Sequence, residues 1–326
     1  MMALILIGLI AGAASALMFA SIVSGALISL VLFYLSPLPL MVAAIGWGPL
    51  YASFGGIGAA IGLGALFGLP YGLAFAVTVA LPAWWLGHLA LLGRHVGPAA
   101  PVGANAATPS EPEMEWYPVG RILLWISGFA TLTTVAAMLT LGTDADSISA
   151  TLRHGLTRIL RSSDPLPSSE TDQFIDALVR MAPAAATIVS MMTLTLNLWL
   201  SAKVTATSGR LHRPWPELMT AELPAMTLVV LCVLIALCFT SGLLAMVAQI
   251  ATAALMLAYA LTGFAVLHTV TLAMKSRTFW LSSAYAVVVV FGWPVIGMIV
   301  LGLADAVFGV RERFWRNRLP PPLPGS

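Results

Sequence analysis

No Asp, Glu, Lys or Arg occurs in residues 1–93; the first charged side chain is Arg94. Charged residues make up 9% of the 326 positions and apolar residues 60%, and the mean hydropathy is +0.96. A soluble domain is about one quarter charged. No water-soluble fold of this length hides so much apolar surface, so the solvent is lipid. Cysteine is almost missing as well. Cys232 and Cys238 lie six residues apart in one apolar run. On a helix that is about 9 Å of axial rise, too far to bridge, and it excludes a disulfide framework.

Catalytic signatures are also missing. There is no Gly-x-x-x-x-Gly-Lys-Ser/Thr loop, no Gly-x-Ser-x-Gly elbow and no pair of carboxylates within the apolar runs. His88, His95, His154, His212 and His268 are scattered, without the spacing of a metal site. The glycines around Gly62 and Gly64 sit inside an apolar run with no strand before them, unlike a dinucleotide fingerprint. These absences predict no catalytic residue, no metal and no cofactor. The net charge is +2, with basic residues in short clusters between apolar runs. That pattern orients a chain in a membrane and does not bind nucleic acid.

What is present reads as an all-α, polytopic transmembrane bundle of about nine or ten helices, some short or broken. Segment 1–93 holds four, near 3–19, 22–35, 40–67 and 70–92. Breaks are expected at Ser36-Pro37-Leu38-Pro39 and Gly68-Leu69-Pro70, and a kink at Gly46-Trp47-Gly48-Pro49. The first run lacks the basic n-region of a signal peptide, so it reads as a membrane helix. Segment 94–117 is a cytoplasmic linker, rich in Pro, Ala, Ser and Gly over 97–112, and 118–141 is a further membrane helix.

Segment 142–181 reads as two extracytoplasmic amphipathic helices joined at 163–167. Ile148, Leu152, Leu156, Ile159 and Leu160 share a face of the first; Phe174, Ile175, Leu178 and Met181 share one on the second, with Ser169 as its cap. Segment 182–310 is a C-terminal membrane bundle, with helices near 183–202, 222–239 and 242–274 and an apolar run at 280–303. Segment 311–326 is a basic, Pro-rich cytoplasmic tail. Lys275 and Arg277 precede the last apolar run, and Arg311, Arg313, Arg316 and Arg318 follow it. The positive-inside rule puts both clusters in the cytoplasm. A hairpin broken at Gly292-Trp293-Pro294 satisfies it, and both chain ends are then cytoplasmic.

Polar groups in hydrocarbon are expensive and face the bundle interior. Asn197, Gln249 and His268 fall within apolar helices, where they either hydrogen-bond between helices or line a solute cavity. Trp47 and Trp293 adjoin Gly/Pro breaks, which mark either simple kinks or a cavity wall. Asn197, Gln249, Trp293 and His268 are thus the candidate ligand-binding residues. Asp305, with Arg311 and Arg313 nearby, predicts an ion pair at a helix end. The small-residue ladder Gly8, Gly12, Ala16, Ala20 predicts close helix packing, within the chain or against a partner.

The stretch Thr262-Gly263-Phe264-Ala265-Val266-Leu267-His268, a short basic turn, a Pro-broken apolar run, and Leu301-Gly302-Leu303-Ala304-Asp305 ending in Arg311 resembles the YybS-like family of bacterial membrane proteins. The resemblance is clearest over 183–318. That family is distantly similar to the substrate-specific subunits of energy-coupling-factor transporters. The resemblance implies a bacterial inner (cytoplasmic) membrane location, a small-molecule solute, and association with a coupling membrane protein and ATPases. It also implies that Gly8, Gly12, Ala16 and Ala20 form a partner-docking face. Three readings follow from the sequence: a small-solute-binding transport subunit, a membrane scaffold using its outer amphipathic segment, and a membrane enzyme acting on lipid.

Overall fold

The computed structural model describes residues 2–96, 113–161, 168–215 and 218–316. The linker 97–112, the joint 163–167, the Ser169 side chain and the tail beyond Arg316 lie outside the described residues. Among the described residues the regular structure is all helical apart from two four-residue strands. In order it forms α1 (Met2–Ala20), α2 (Leu27–Leu35), α3 (Pro37–Trp47), α4 (Pro49–Phe67), α5 (Leu69–Phe75), α6 (Leu81–Leu91), β1 (Gly93–Val96) and β2 (Glu113–Trp116). There follow α7 (Val119–Leu139), α8 (Ala145–Arg161), α9 (Ser168–Thr207), α10 (Met226–Leu237), α11 (Gly242–Val270), α12 (Arg277–Phe291), α13 (Val295–Phe308) and α14 (Val310–Arg316).

Among the described residues, seven segments are long and apolar enough to cross a membrane: Met2–Ser24, Leu27–Trp47, Pro49–Phe67, Leu69–Leu91, Val119–Leu139, Thr171–Thr207 and Gly242–Val270. Three shorter apolar helices, Met226–Leu237, Arg277–Phe291 and Val295–Phe308, accompany them. The protein is a multi-pass helical membrane protein. Its residues divide into two compact units: Met1–Pro118 with Met192–Pro216, and Val119–Met191 with Glu217–Ser326.

Unit 1 is built on α1 and α4. A Cβ on Gly8 would overlap the carbonyl of Tyr51, one on Gly12 that of Gly55, and one on Gly55 that of Gly8. Only glycine permits such backbone contact, which replaces the missing hydrophobic drive between helices in lipid. Phe19 closes this pair against the rings of Phe33, Tyr71 and Phe75, at 5.1–5.4 Å between centroids. At the expected break, Ser36-Pro37, α2 ends and α3 begins with only Ser36 between them, and the two continue as one membrane span. Ser36 keeps helical angles (φ −58, ψ −29) because Pro37 falls at the first position of α3, where its missing N–H costs nothing. The span itself ends at Gly48, whose φ of +112 a side chain resists, so the second span is Leu27–Trp47 and the third starts at Pro49. Between α5 and α6 the helix widens into one π turn, Ala76–Ala80, just before Pro82. Pro82 has no N–H for the carbonyl of Thr78, which accounts for the widening.

Unit 2 repeats the device with other helices. A Cβ on Gly263 of α11 would overlap the carbonyl of Met298 in α13, and one on Gly302 that of Tyr259. Each glycine meets the carbonyl four residues before its counterpart, the register of two helices running in the same direction. α12 therefore runs back, and the apolar run 280–303 is a helical hairpin turning at Gly292 (φ +71). Leu231, Leu255 and Tyr259 form one buried cluster, and Met138, Ile148 and Ile250 another. The second cluster docks α8 by Ile148 and Leu152 onto α7 and α11, so the first half of its amphipathic face is covered within the unit while Ile159 stays exposed.

The second amphipathic helix and the expected helix 183–202 are one 40-residue element, α9, with Pro183 inside it. Its span of 37 residues is about 55 Å long, well beyond a hydrocarbon core of about 30 Å. The charged turns up to Arg180 thus extend past the hydrocarbon. Residues of α9 up to Met191 belong to unit 2 and those from Met192 to unit 1.

Candidate functional site

Asn197, Ser201 and Thr205 recur every fourth residue on α9 and are 0%, 0% and 1% exposed. They form a polar stripe inside apolar unit 1. Ser201 and Thr205 satisfy their hydroxyls on their own helix, donating to Leu198 O (2.8 Å) and Ser201 O (2.8 Å). Asn197 reaches across: its Nδ2 donates to Tyr34 O at 2.9 Å as well as to Thr193 O at 2.7 Å. Tyr34 lies at the end of α2, among the last carbonyls of a helix, which have no donor four residues on within it. Two carbonyls on Nδ2 fix the orientation of the amide, since a flip would set oxygen against oxygen. The result is that Asn197 Oδ1 is held buried with no hydrogen-bond partner. Ser15 Oγ, buried in α1 of the same unit, is a second such acceptor.

The other candidates stand elsewhere. Gln249 is exposed on α11. His268, nineteen residues on, is about 28 Å further along the same helix. It is half-buried, with its Nε2 at 3.0 Å from Tyr285 Oη; the Tyr285 ring stacks on Phe264 at 5.0 Å and 3°. This contact ties α12 to α11. Trp293 is 71% exposed at the hairpin turn. Gln249, His268 and Trp293 therefore line no common site in unit 2, and Asn197 belongs to unit 1.

The docking face implied for α1 is taken up inside the chain. Gly8 and Gly12 are buried against α4, while Ala16 and Ala20 are half-buried. Asp305 does make its ion pair. Arg311 is 4% exposed and donates by Nε and Nη2 to Asp305 Oδ2 (2.8 and 2.7 Å) and by Nη1 to Met219 O (2.8 Å) and Ala221 O (3.0 Å). Its own backbone N–H caps Asp305 Oδ1 at 2.9 Å. With Glu222 at 3.5 Å, the guanidinium is fully engaged and acts as a clamp on the segment before α10.

Among the described residues no group of three His, Cys, Asp or Glu side chains is placed to hold a metal ion. Both cysteines are free, and Cys238 Sγ lies 3.5 Å from Thr252 Oγ1. Ser201 and Thr205 were passed over in the sequence, although their four-residue spacing from Asn197 is visible there. Their signal is weak, because Ser and Thr are common in membrane helices and usually bond back to their own carbonyls. Compared with protein-family models, with curated proteins and with solved structures, the chain matches none.

Proposed function

We propose that the protein is a transport subunit of a bacterial inner membrane that binds a small polar solute among the helices of unit 1 and acts with partner proteins. The observation that carries this is Asn197 Oδ1, an acceptor fixed in orientation, fully buried and unpartnered. A buried acceptor left unmade costs about 1–3 kcal/mol. A solute bringing an N–H or O–H donor offsets that cost, and the chemistry asked of the chain is binding, with no bond made or broken. The resemblance of 183–318 to the YybS-like family supports membership there and a coupling partner; with Gly8 and Gly12 occupied by α4, that partner docks elsewhere. Both termini are assigned to the cytoplasm. In unit 1, Arg210 stacks on Trp47 at the end of α3, and Arg213 reaches the carbonyl of Ala90 near the end of α6, so both sit at one end of the unit.

The test is purification of the tagged chain from native membranes in mild detergent, with mass spectrometry of the small molecules and proteins retained. One stoichiometric solute, lost in Asn197→Leu but kept in the surface variant Arg153→Gln, is expected. Recovery of envelope proteins alone, with no solute, would sink the transport reading. It would favour the scaffold, for which Ile159 (63% exposed), Phe174 (55%) and Met181 (64%) on α8 and α9 offer an apolar surface.

A further inference from the structure

Three fixed cations at one end of unit 1 have no acidic partner among the described residues. α9 ends at Thr207, and the chain turns there with the Arg210 amide donating to Thr205 O at 2.9 Å. That turn sets Arg210 Cζ 4.7 Å from the centre of the Trp47 ring, beside the Gly48-Pro49 start of α4. Lys203 Nζ lies 5.1 Å over the Trp215 ring. Arg213 donates to Tyr117 O at 3.0 Å and Ala90 O at 3.4 Å, with Trp116 at 6.0 Å. Its partners are neutral, and burial pushes its guanidinium below the ordinary value. Of the acidic side chains described in this unit, Glu115 is taken by Arg94 at 2.6 Å across β1 and β2.

A guanidinium held over an indole face makes no hydrogen bond with its N–H donors by that contact. Guanidinium over Trp47 thus still offers a fork of N–H groups, and that fork matches the oxygens of a phosphate. Tryptophan is the residue that seats at the level of lipid headgroups, and Trp215, Trp47 and Trp116 each lie against one of these cations, Lys203, Arg210 and Arg213 in turn. Helix-dipole compensation at the end of α9 explains why cations sit there. It does not explain why each is paired with an aromatic ring and none with a carboxylate.

We infer that Lys203, Arg210 and Arg213, with Trp47, Trp116 and Trp215, form a binding site for the phosphate headgroup of an anionic phospholipid at the rim of unit 1. The ring placement selects a lipid over a soluble phosphate, because the donors open at the depth where the membrane spans end. Juxtamembrane cations attract anionic lipid by about 1 kcal/mol each, so two of them set an effect of about thirtyfold.

The test uses the full chain in phosphatidylcholine nanodiscs containing a minor share of phosphatidylglycerol, with retained lipid read by native mass spectrometry. Phosphatidylglycerol should be retained over phosphatidylcholine, and Lys203→Gln/Arg210→Gln should lower its retention about thirtyfold. Arg213→Gln is the second variant; because Arg213 also holds two backbone carbonyls, its unfolding midpoint is measured alongside. Arg210→Lys keeps the charge and loses the stacked fork, and should fall between wild type and Arg210→Gln. Equal retention of both lipids, or a double variant that keeps phosphatidylglycerol as wild type does, overturns the site. Displacement of the lipid by soluble glycerol phosphate at equal concentration overturns the lipid assignment in favour of a free phosphate.

Discussion

The two units use their best-defined cations differently. In unit 2, Arg311 is closed on Asp305 and two carbonyls, and Arg153 on α8 meets Asp176 on α9 at 2.5 Å. Unit 1 opens with a long charge-free stretch and sets Lys203 and Arg210 against indole rings at its rim. Arg311 and Arg153 therefore hold unit 2 together, whereas Lys203 and Arg210 of unit 1, unlike its Arg94–Glu115 pair, stay available to something outside the chain. The packing device underneath is the same in both, a parallel helix pair joined through glycine.

The largest effect that would break this comparison is at Arg311. Removing it leaves Asp305, 9% exposed, as an uncompensated buried charge, and Arg311→Ala should cost about 3–5 kcal/mol. Thermal unfolding in detergent measures it. Arg210→Ala in unit 1 should leave the same transition nearly unmoved, and equal losses at the two arginines would erase the distinction. Next come the glycine contacts. Gly12→Val and Gly263→Val each force two backbones apart and should cost about 1–3 kcal/mol, while Gly62→Val, whose Cβ would meet nothing within 4 Å, should be tolerated.

Smaller again is Asn197→Leu. It removes the tie to Tyr34 O, worth about 0.6–1.7 kcal/mol between membrane helices. Gln249→Leu on the exposed face of α11 should change stability less, and the order reversed would contradict the burial seen here. The smallest effect is at Asp144, an exposed residue whose Oδ1 accepts from the amides of Ser147 (2.9 Å) and Asp146 (3.1 Å) at the start of α8. The Ser147 amide and hydroxyl hold its carboxyl below the usual value. The cap is at full strength above the ordinary carboxylate range and is lost as pH falls through the depressed value. Exchange of the Ser147 amide, normalised to its intrinsic rate, should quicken on acidification in wild type and lose that dependence in Asp144→Asn, which caps without titrating.

How far the site was legible follows from these same residues. Asn197 and Gln249 look alike in sequence, each a lone polar residue in an apolar helix. One proved buried and cross-linked to another helix, the other exposed. The Asp305–Arg311 pair was readable because its members are six residues apart; Met219 and Ala221, some ninety residues away, were not. Pro37 does start a new helix, but the membrane span runs through it, which a proline read only as a helix breaker does not reveal. The Gly8 and Gly12 ladder was visible, but not the helix it meets.

Sequence by itself determined the solvent, most of the spans and the hairpin near the C-terminus. A membrane helix satisfies its own backbone, so length and hydropathy mark it locally, and basic clusters fix where the chain must turn back. Only the tertiary structure decided which glycine faces which carbonyl, how α9 is divided and which polar residues are enclosed. In lipid the outward and inward faces of a helix are equally apolar. Rotation about the helix axis therefore leaves little trace in the residue pattern and is settled by packing alone.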